Sequence, residues 1–176
     1  MSGAIYTAEM SSPIGPLTVT ATKRGICHID FGSYAEVKSN LLAWSERQPE
    51  LADYHGEWRM ASDFPPLASA LTQLERYFQG ELQQFDLELD MLGTPFQRKV
   101  WEALQHVPYG ETCSYKQIAE AIGQPAAVRA VGGANNRNPV AIIVPCHRVI
   151  GANGAMVGYG GGLPIKTALL RLETRD

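Results

Sequence analysis

The sequence predicts an α+β protein of two domains. Three observations carry that prediction: short β-branched runs fill the first half, helix capping signals fill the second, and the net charge changes sign between them. Residues 1–92 hold 13 acidic and 6 basic side chains, a net −7, whereas residues 93–176 hold 5 acidic and 9 basic, a net +4. A chain of 176 residues is long enough for one full domain or two small ones. At 45% hydrophobic and 19% charged residues its composition is that of a globular protein, which excludes disordered, collagen-like and disulfide-stapled classes. Cys27, Cys113 and Cys146 are an odd number without C-x-x-C spacing, so neither a disulfide framework nor a zinc knuckle is expected. No apolar run approaches the roughly 18 residues of a membrane-spanning helix, and residues 1–10 lack the features of a signal peptide. A cytoplasmic protein with no membrane partner is expected.

In the first domain, expected over residues 1–92, Leu17-Thr18-Val19-Thr20-Ala21 and Ile26-Cys27-His28-Ile29-Asp30-Phe31 read as strands joined at a Lys23-Arg24-Gly25 turn. Residues 34–59 read as weakly helical at best, and residues 48–60 as a loop. Leu67, Leu71, Leu74 and Phe78 recur at helical spacing behind Pro65-Pro66 and stop at Gly80. Phe85, Leu87, Leu89 and Met91 alternate with Asp86, Glu88 and Asp90, the pattern of a half-buried strand.

The boundary falls at Leu92-Gly93, because Thr94-Pro95-Phe96-Gln97 then supplies an N-cap, an N1 proline and a glutamine at N3. The helix it opens is expected to run through Val107 on a stripe of Phe96, Val100, Ala103, Leu104 and Val107. Ser114-Tyr115-Lys116-Gln117 caps a short helix that stops at Gly123, and another is expected from Ala126 to about Asn136. Two short helices around a glycine-containing turn read as a helix-turn-helix. The last helix begins at Pro164 with a stripe of Ile165, Ala168, Leu169 and Leu172.

Charge and chemistry both gather in the second domain, expected over residues 93–176. Between Thr112 and Leu172 six cations, Lys116, Arg129, Arg137, Arg148, Lys166 and Arg171, face one acid, Glu120, which would steer a polyanion there. On the helix that carries Arg129, the residues Ala126, Ala130, Gly133 and Ala134 make one face almost free of side chains. Gly132 and Gly133 each cost about 1 kcal/mol against alanine in a helix interior. Either another helix packs tightly on that backbone or the helix presses into a nucleic-acid groove. Downstream, Pro145 precedes Cys146, His147 and Arg148, a thiol flanked by a base and a permanent cation, which favours the nucleophilic thiolate. Glu173 lies four residues beyond Leu169 at the edge of the apolar stripe, where a carboxylate wants a buried partner. His147 is the candidate, giving a Cys-His-Glu relay. The glycines at 151, 154, 158, 160, 161 and 162 read either as a connector or as a loop that wraps a planar substrate. Cys27, on a strand face with Ile29 and Phe31, reads as structural, and Cys113 as incidental.

Pro145-Cys146-His147-Arg148-Val149 resembles the active-site motif of the methylated-DNA-protein-cysteine methyltransferases, also called O6-alkylguanine-DNA alkyltransferases. The resemblance extends through Gly93-Thr94-Pro95-Phe96-Gln97, Pro108-Tyr109-Gly110-Glu111-Thr112, Arg129-Ala130-Val131-Gly132-Gly133-Ala134, Asn138-Pro139, Gly158-Tyr159-Gly160-Gly161-Gly162, Lys166 and Leu169-Leu170. Over the first half it rests mainly on Ser12-Pro13-Ile14-Gly15-Pro16-Leu17. It implies a small ribonuclease-H-like α/β domain followed by a mostly helical domain with a winged-helix-like helix-turn-helix.

By residue, the resemblance implies that Cys146 accepts an alkyl group from O6-alkylguanine in duplex DNA, irreversibly and once. His147 acts as base through a water and Glu173 orients it. Asn138 ties the helix-turn-helix to the active-site loop, and Tyr115 contacts the guanine ring and turns the phosphate of the nucleotide. Arg129 fills the gap left by the flipped base, with Ala130, Gly132, Gly133 and Asn136 on the helix that meets the minor groove. The carbonyls of Cys146 and Val149 read the exocyclic amine, while Tyr159 and Gly160 line the pocket near O6. No cofactor is implied. Some relatives bind zinc through the first domain, but Gly3 and Thr22 occupy two of the matching positions, so no metal is expected. Val128 stands where many relatives carry alanine, and Asn136 where others carry a basic residue. The protein is expected to act as a monomer, and whether it binds DNA cooperatively or accepts O4-alkylthymine is left open. Two other classes share parts of the pattern: a non-reacting sensor of alkylated DNA, and a cysteine hydrolase with multiple turnovers.

Overall fold

Four strands build the sheet of the first unit in a computed structural model that describes residues 3–54 and 57–175. They are β1 (Ile5–Met10), β2 (Leu17–Thr22), β3 (Gly25–Phe31) and β4 (Trp58–Met60), in the spatial order β3-β2-β1-β4. The first three strands run antiparallel, with Tyr6 opposite Ala21 and Val19 opposite Ile29, and β4 joins β1 in parallel. All six residues of β2 are buried: Thr18 Oγ1 donates to the Gly32 carbonyl (2.9 Å) and Thr22 Oγ1 to Asp90 Oδ2 (2.6 Å), while Thr20 Oγ1 has no partner among the described residues. Gly25 has φ +145°, and a Cβ there would run into the Glu88 carbonyl, so the turn leaves room for glycine alone.

Two helices accompany the sheet, α1 (Tyr34–Glu46) and α2 (Pro65–Phe78). Contacts divide the chain into two compact units, Met1–Leu92 and Gly93–Asp176. In the second unit α3 (Pro95–Leu104), α4 (Tyr115–Ala121) and α5 (Val128–Asn136) pack on one another, and α6 (Leu163–Thr174) closes the chain. The two-residue strands β5 (Cys113–Ser114) and β6 (Val149–Ile150) pair in parallel. The capping boxes at Thr94/Gln97 and Ser114/Gln117 form as expected, and Gly123 ends the α4 region at φ +74°.

Several elements differ from the reading of the sequence. Residues 34–46 form a full α-helix, because Ser33 and Glu36 close a capping box and Val37, Leu41 and Trp44 share one narrow face. Residues 49–54 form a 3-10 turn, and 58–60 a strand where a loop was expected. β1 was not foreseen. The alternating segment at 85–91 is extended but joins the sheet through a single bridge, Leu89 to Ile26. The third helix ends at Leu104, not Val107, and its largest buried side chain is Trp101, whose Nε1 donates to the Ala134 carbonyl (2.8 Å). Cys27 is fully buried with Ile5, Leu51, Tyr54 and Leu92, and burial pushes its thiol pKa well up. No helix among the described residues is long and apolar enough to cross a membrane.

Candidate active site

Asn138 starts the approach to the nucleophile. Its Oδ1 accepts from the Val140 amide (3.0 Å) and its Nδ2 donates to the Val144 carbonyl (2.8 Å), so one side chain spans a tight turn. Inside that turn Ile142 holds φ +75°, a conformation unfavourable for a β-branched residue, and its side chain is almost wholly buried. The turn delivers Cys146, His147 and Arg148 as a single 3-10 turn, all three buried.

The three side chains do not share one task. His147 Nε2 meets Glu173 Oε2 at 2.7 Å, while its Nδ1 is buried with no hydrogen-bond partner among the described residues. Arg148 donates to Glu173 through Nε (2.7 Å) and Nη2 (3.0 Å), and through Nη1 to the Val107 carbonyl (2.7 Å). Glu173 therefore serves two residues at once. Burial lowers the pKa of His147, against the Glu173 hydrogen bond that raises it, so the imidazole is held toward its neutral, basic form.

The expectation that Arg148 favours a thiolate at Cys146 needs correction. Arg148 is committed to Glu173, and burial pushes the Cys146 thiol up to about 11. Asn138, by hydrogen bonding, and the charge of Lys166 pull it down again without overcoming burial. The proton stays on sulfur near neutral pH and has to leave during the reaction. Lys166 itself is fully buried, its Nζ donating to the carbonyls of Val149 (2.6 Å), Val157 (3.1 Å) and Gly158 (3.3 Å). The Val149 carbonyl assigned to the substrate amine thus already has one donor. Tyr115 Oη donates to the Val157 carbonyl (3.1 Å), so Tyr115 and Lys166 grip the same segment of the glycine loop. Gly158, at φ +58°, lies against the Asn136 side chain, and Gly160 approaches the Asn136 carbonyl. Tyr159 is held near Cys146 and Glu173, its hydroxyl pKa pushed up by burial and then by those two groups.

Two of the six cations of the basic segment, Arg148 and Lys166, are internal; Lys116, Arg129, Arg137 and Arg171 are exposed. On α5 the exposed face is Val128, Arg129, Ala130, Gly133 and Asn136, whereas Ala134 faces the core beneath Trp101 and not the open face expected for it. A Cβ on Gly133 would meet nothing within 4 Å, and one on Gly132 would make ordinary contact with the Tyr115 ring. Helix packing therefore does not account for either glycine. Gly133→Ala should raise stability by up to about 1 kcal/mol, measured by denaturant unfolding, while weakening binding to duplex DNA. Unchanged DNA affinity would show that nothing presses on that face.

Residues 5–91 match the ribonuclease-like domain of 6-O-methylguanine DNA methyltransferases, and residues 95–175 match their DNA binding domain. A methylated-DNA–protein-cysteine methyltransferase of Methanosarcina barkeri is 47% identical over 98% of this chain and 99% of its own. The chain belongs to the methylated-DNA–protein-cysteine methyltransferases. Among solved structures, this methyltransferase is similar to Mycobacterium tuberculosis OGT in complex with DNA, with TM-score 0.78 and 45% identity over 96% of this chain and 92% of that one. It is also similar to the O6-methylguanine-DNA methyltransferase of Pyrococcus kodakaraensis, with TM-score 0.68 and 27% identity over 96% and 98%. The methyltransferase fold places every residue singled out in the second half of the sequence within the second unit. The sequence suggests Lys166 only as one of the cations that steer a polyanion and as part of the family resemblance, and Asn135 not at all, whereas Lys166 is buried at the site. Lys166, Leu169 and Glu173 are the buried residues of α6, spaced i, i+3 and i+7, so the register of the two polar members was a signal for a polar stripe.

Proposed function

We infer that the protein repairs O6-alkylguanine in duplex DNA by a single irreversible transfer to Cys146. The observation that supports this best is the buried Cys146 thiol, followed directly by the His147–Glu173 pair, in the same compact unit as a helix that exposes Ala130 and Gly133 beside Arg129. In the transfer the thiol proton passes through a water to His147 Nδ1, and sulfur bonds to the alkyl carbon as the carbon–O6 bond breaks. The electron pair of that bond leaves on the base, which takes up one proton to become guanine. Sulfur ends as a thioether with no leaving group to regenerate, so one molecule acts once.

The base has to leave the stack to reach a buried thiol, and α5 supplies the means. The small residues Ala130 and Gly133 suit close approach to the minor groove, and Arg129 is the exposed long side chain beside them, placed to fill the vacated stack. Tyr115 and Asn138 position the nucleotide and the active-site turn, Tyr159 and Gly160 line the pocket, and Gly132 and Asn136 sit on the same groove-facing helix. The chain acts as a monomer in the cytoplasm on this reading. Base extrusion costs a few kcal/mol, which a side chain in the hole partly offsets. Arg129→Ala is expected to slow transfer from alkylguanine in a duplex by about tenfold or more while changing reaction with the free alkylguanine base little. Equal slowing on both substrates, measured in single-turnover assays, would place Arg129 in the pocket and remove the extrusion step from the account.

A further inference from the structure

Asn135 lies in the last turn of α5 and is 2% exposed. Its Nδ2 donates a long hydrogen bond to the Cys146 carbonyl (3.5 Å), and its Oδ1 is buried with no hydrogen-bond partner among the described residues. The relay does not use it: Glu173 takes His147 and Arg148, and Asn138 braces the turn. A buried amide oxygen without a donor costs free energy that an apolar side chain of the same size avoids, so its place beside the nucleophile asks for a reason. Polar groups placed in a binding site find their partners on the ligand.

The neighbouring acceptors are already engaged. The Val149 carbonyl accepts from Lys166 Nζ, the Val157 carbonyl from Tyr115 and Lys166, and the Cys146 carbonyl from the Val149 amide as well as from Asn135. Among the described residues His147 Nδ1 also lacks a partner but is committed to the thiol proton, which leaves Asn135 Oδ1 as an acceptor free for the base. On the substrate side, alkylation at O6 leaves N1, N3 and N7 as acceptors, and the 2-amino group is the donor the base brings. We propose that Asn135 reads the purine base: its Oδ1 accepts a hydrogen from the 2-amino group, while the bond from its Nδ2 to the Cys146 carbonyl fixes which way the amide faces. The proposal rests on the reading that Cys146 takes its alkyl group from guanine, and it makes Asn135 a determinant of base specificity.

The test measures single-turnover transfer from two duplex oligonucleotides, one with O6-methylguanine and one with O6-methylhypoxanthine, which lacks the 2-amino group. The wild-type protein should favour the guanine substrate. Asn135→Leu, close in size, should shrink that preference by about fivefold, the worth of one neutral hydrogen bond, by slowing the guanine substrate selectively. Asn135→Asp keeps acceptor oxygens and should retain more of the preference than the leucine variant. Each protein is compared with itself, so a partial folding defect lowers both rates and leaves the ratio readable, and the aspartate variant reads the same ratio if the leucine variant does not fold. A ratio unchanged in Asn135→Leu, or equally lost in both variants, would overturn the assignment. Absence of transfer from either substrate by the wild-type protein would instead defeat the alkyl-transfer reading on which it rests.

Discussion

Cys146→Ser is expected to bind duplex DNA about as well as the wild-type protein and to transfer no measurable alkyl group. The thiol is held protonated by burial, with a pKa of about 11, and is brought within reach of reaction by Asn138, Lys166 and the His147–Glu173 pair. A serine hydroxyl is a far weaker acid than a thiol and a poorer nucleophile at carbon, so the same surroundings cannot compensate. Loss of a nucleophile from a tuned relay costs on the order of 10⁴-fold or more in rate. The side chain is small, and serine keeps a hydroxyl where Asn138 meets the thiol, so the exposed face of α5 should be unaffected. Single-turnover transfer and DNA binding measured on the same preparation check both halves. Cys113→Ser, at a half-buried thiol, should keep full transfer, and Cys27→Ser should keep it at some cost in stability because Cys27 is fully enclosed.

The largest expected effect on stability belongs to Glu173. Its carboxylate is almost wholly buried and meets His147 at 2.7 Å and Arg148 at 2.7 and 3.0 Å. Glu173→Ala leaves the Arg148 guanidinium buried without a counter-charge, against the Val107 carbonyl and the face of the Tyr109 ring, and an uncompensated buried charge costs about 3–5 kcal/mol. The same change frees the imidazole of His147 from its orienting partner, so transfer should fall by about 10²-fold or more. The pairing of Glu173→Leu with Arg148→Met separates the two effects. It removes both charges, should restore most of the lost stability, and should leave transfer impaired because His147 still lacks its carboxylate. Denaturant midpoints together with transfer rates decide the matter, and a Glu173→Ala protein that unfolds at the wild-type midpoint would show that the cluster is not what holds α6 to the nucleophile turn.

The parts of this arrangement legible in the sequence were those announced by local signals. Capping boxes at Thr94 and Ser114, the prolines that open α2 and α3 and the glycine at 123 all act within four residues and appear where expected, whereas α6 begins one residue before Pro164. Helix α1 was missed because its cap at Ser33 opens a helix with only two fully buried side chains, Val37 and Leu41, too thin a stripe to stand out. Strands β1 and β4 were missed for a different reason, since three-residue β4 acquires its identity by pairing with β1 and has no periodicity of its own. At the site, the Cys146-His147 pair and its carboxylate could be read from residue type and helical register. The partnership of Arg148 with Glu173, 25 residues apart, could not, because adjacency in sequence suggested the thiol as its partner. Burial then reversed the expected effect on that thiol, a many-body property that no short window of sequence contains.

Cys146 is expected to keep the alkyl group it accepts. Intact mass spectrometry of the protein after incubation with excess duplex containing O6-methylguanine, followed by peptide mapping, tests it most directly. A gain of one methyl group per protein molecule is expected, located on the peptide that carries Cys146, with guanine restored in an equal number of duplexes and no further turnover. An unmodified protein that has demethylated several equivalents of DNA, or a methyl group found on Cys27 or Cys113, would contradict it.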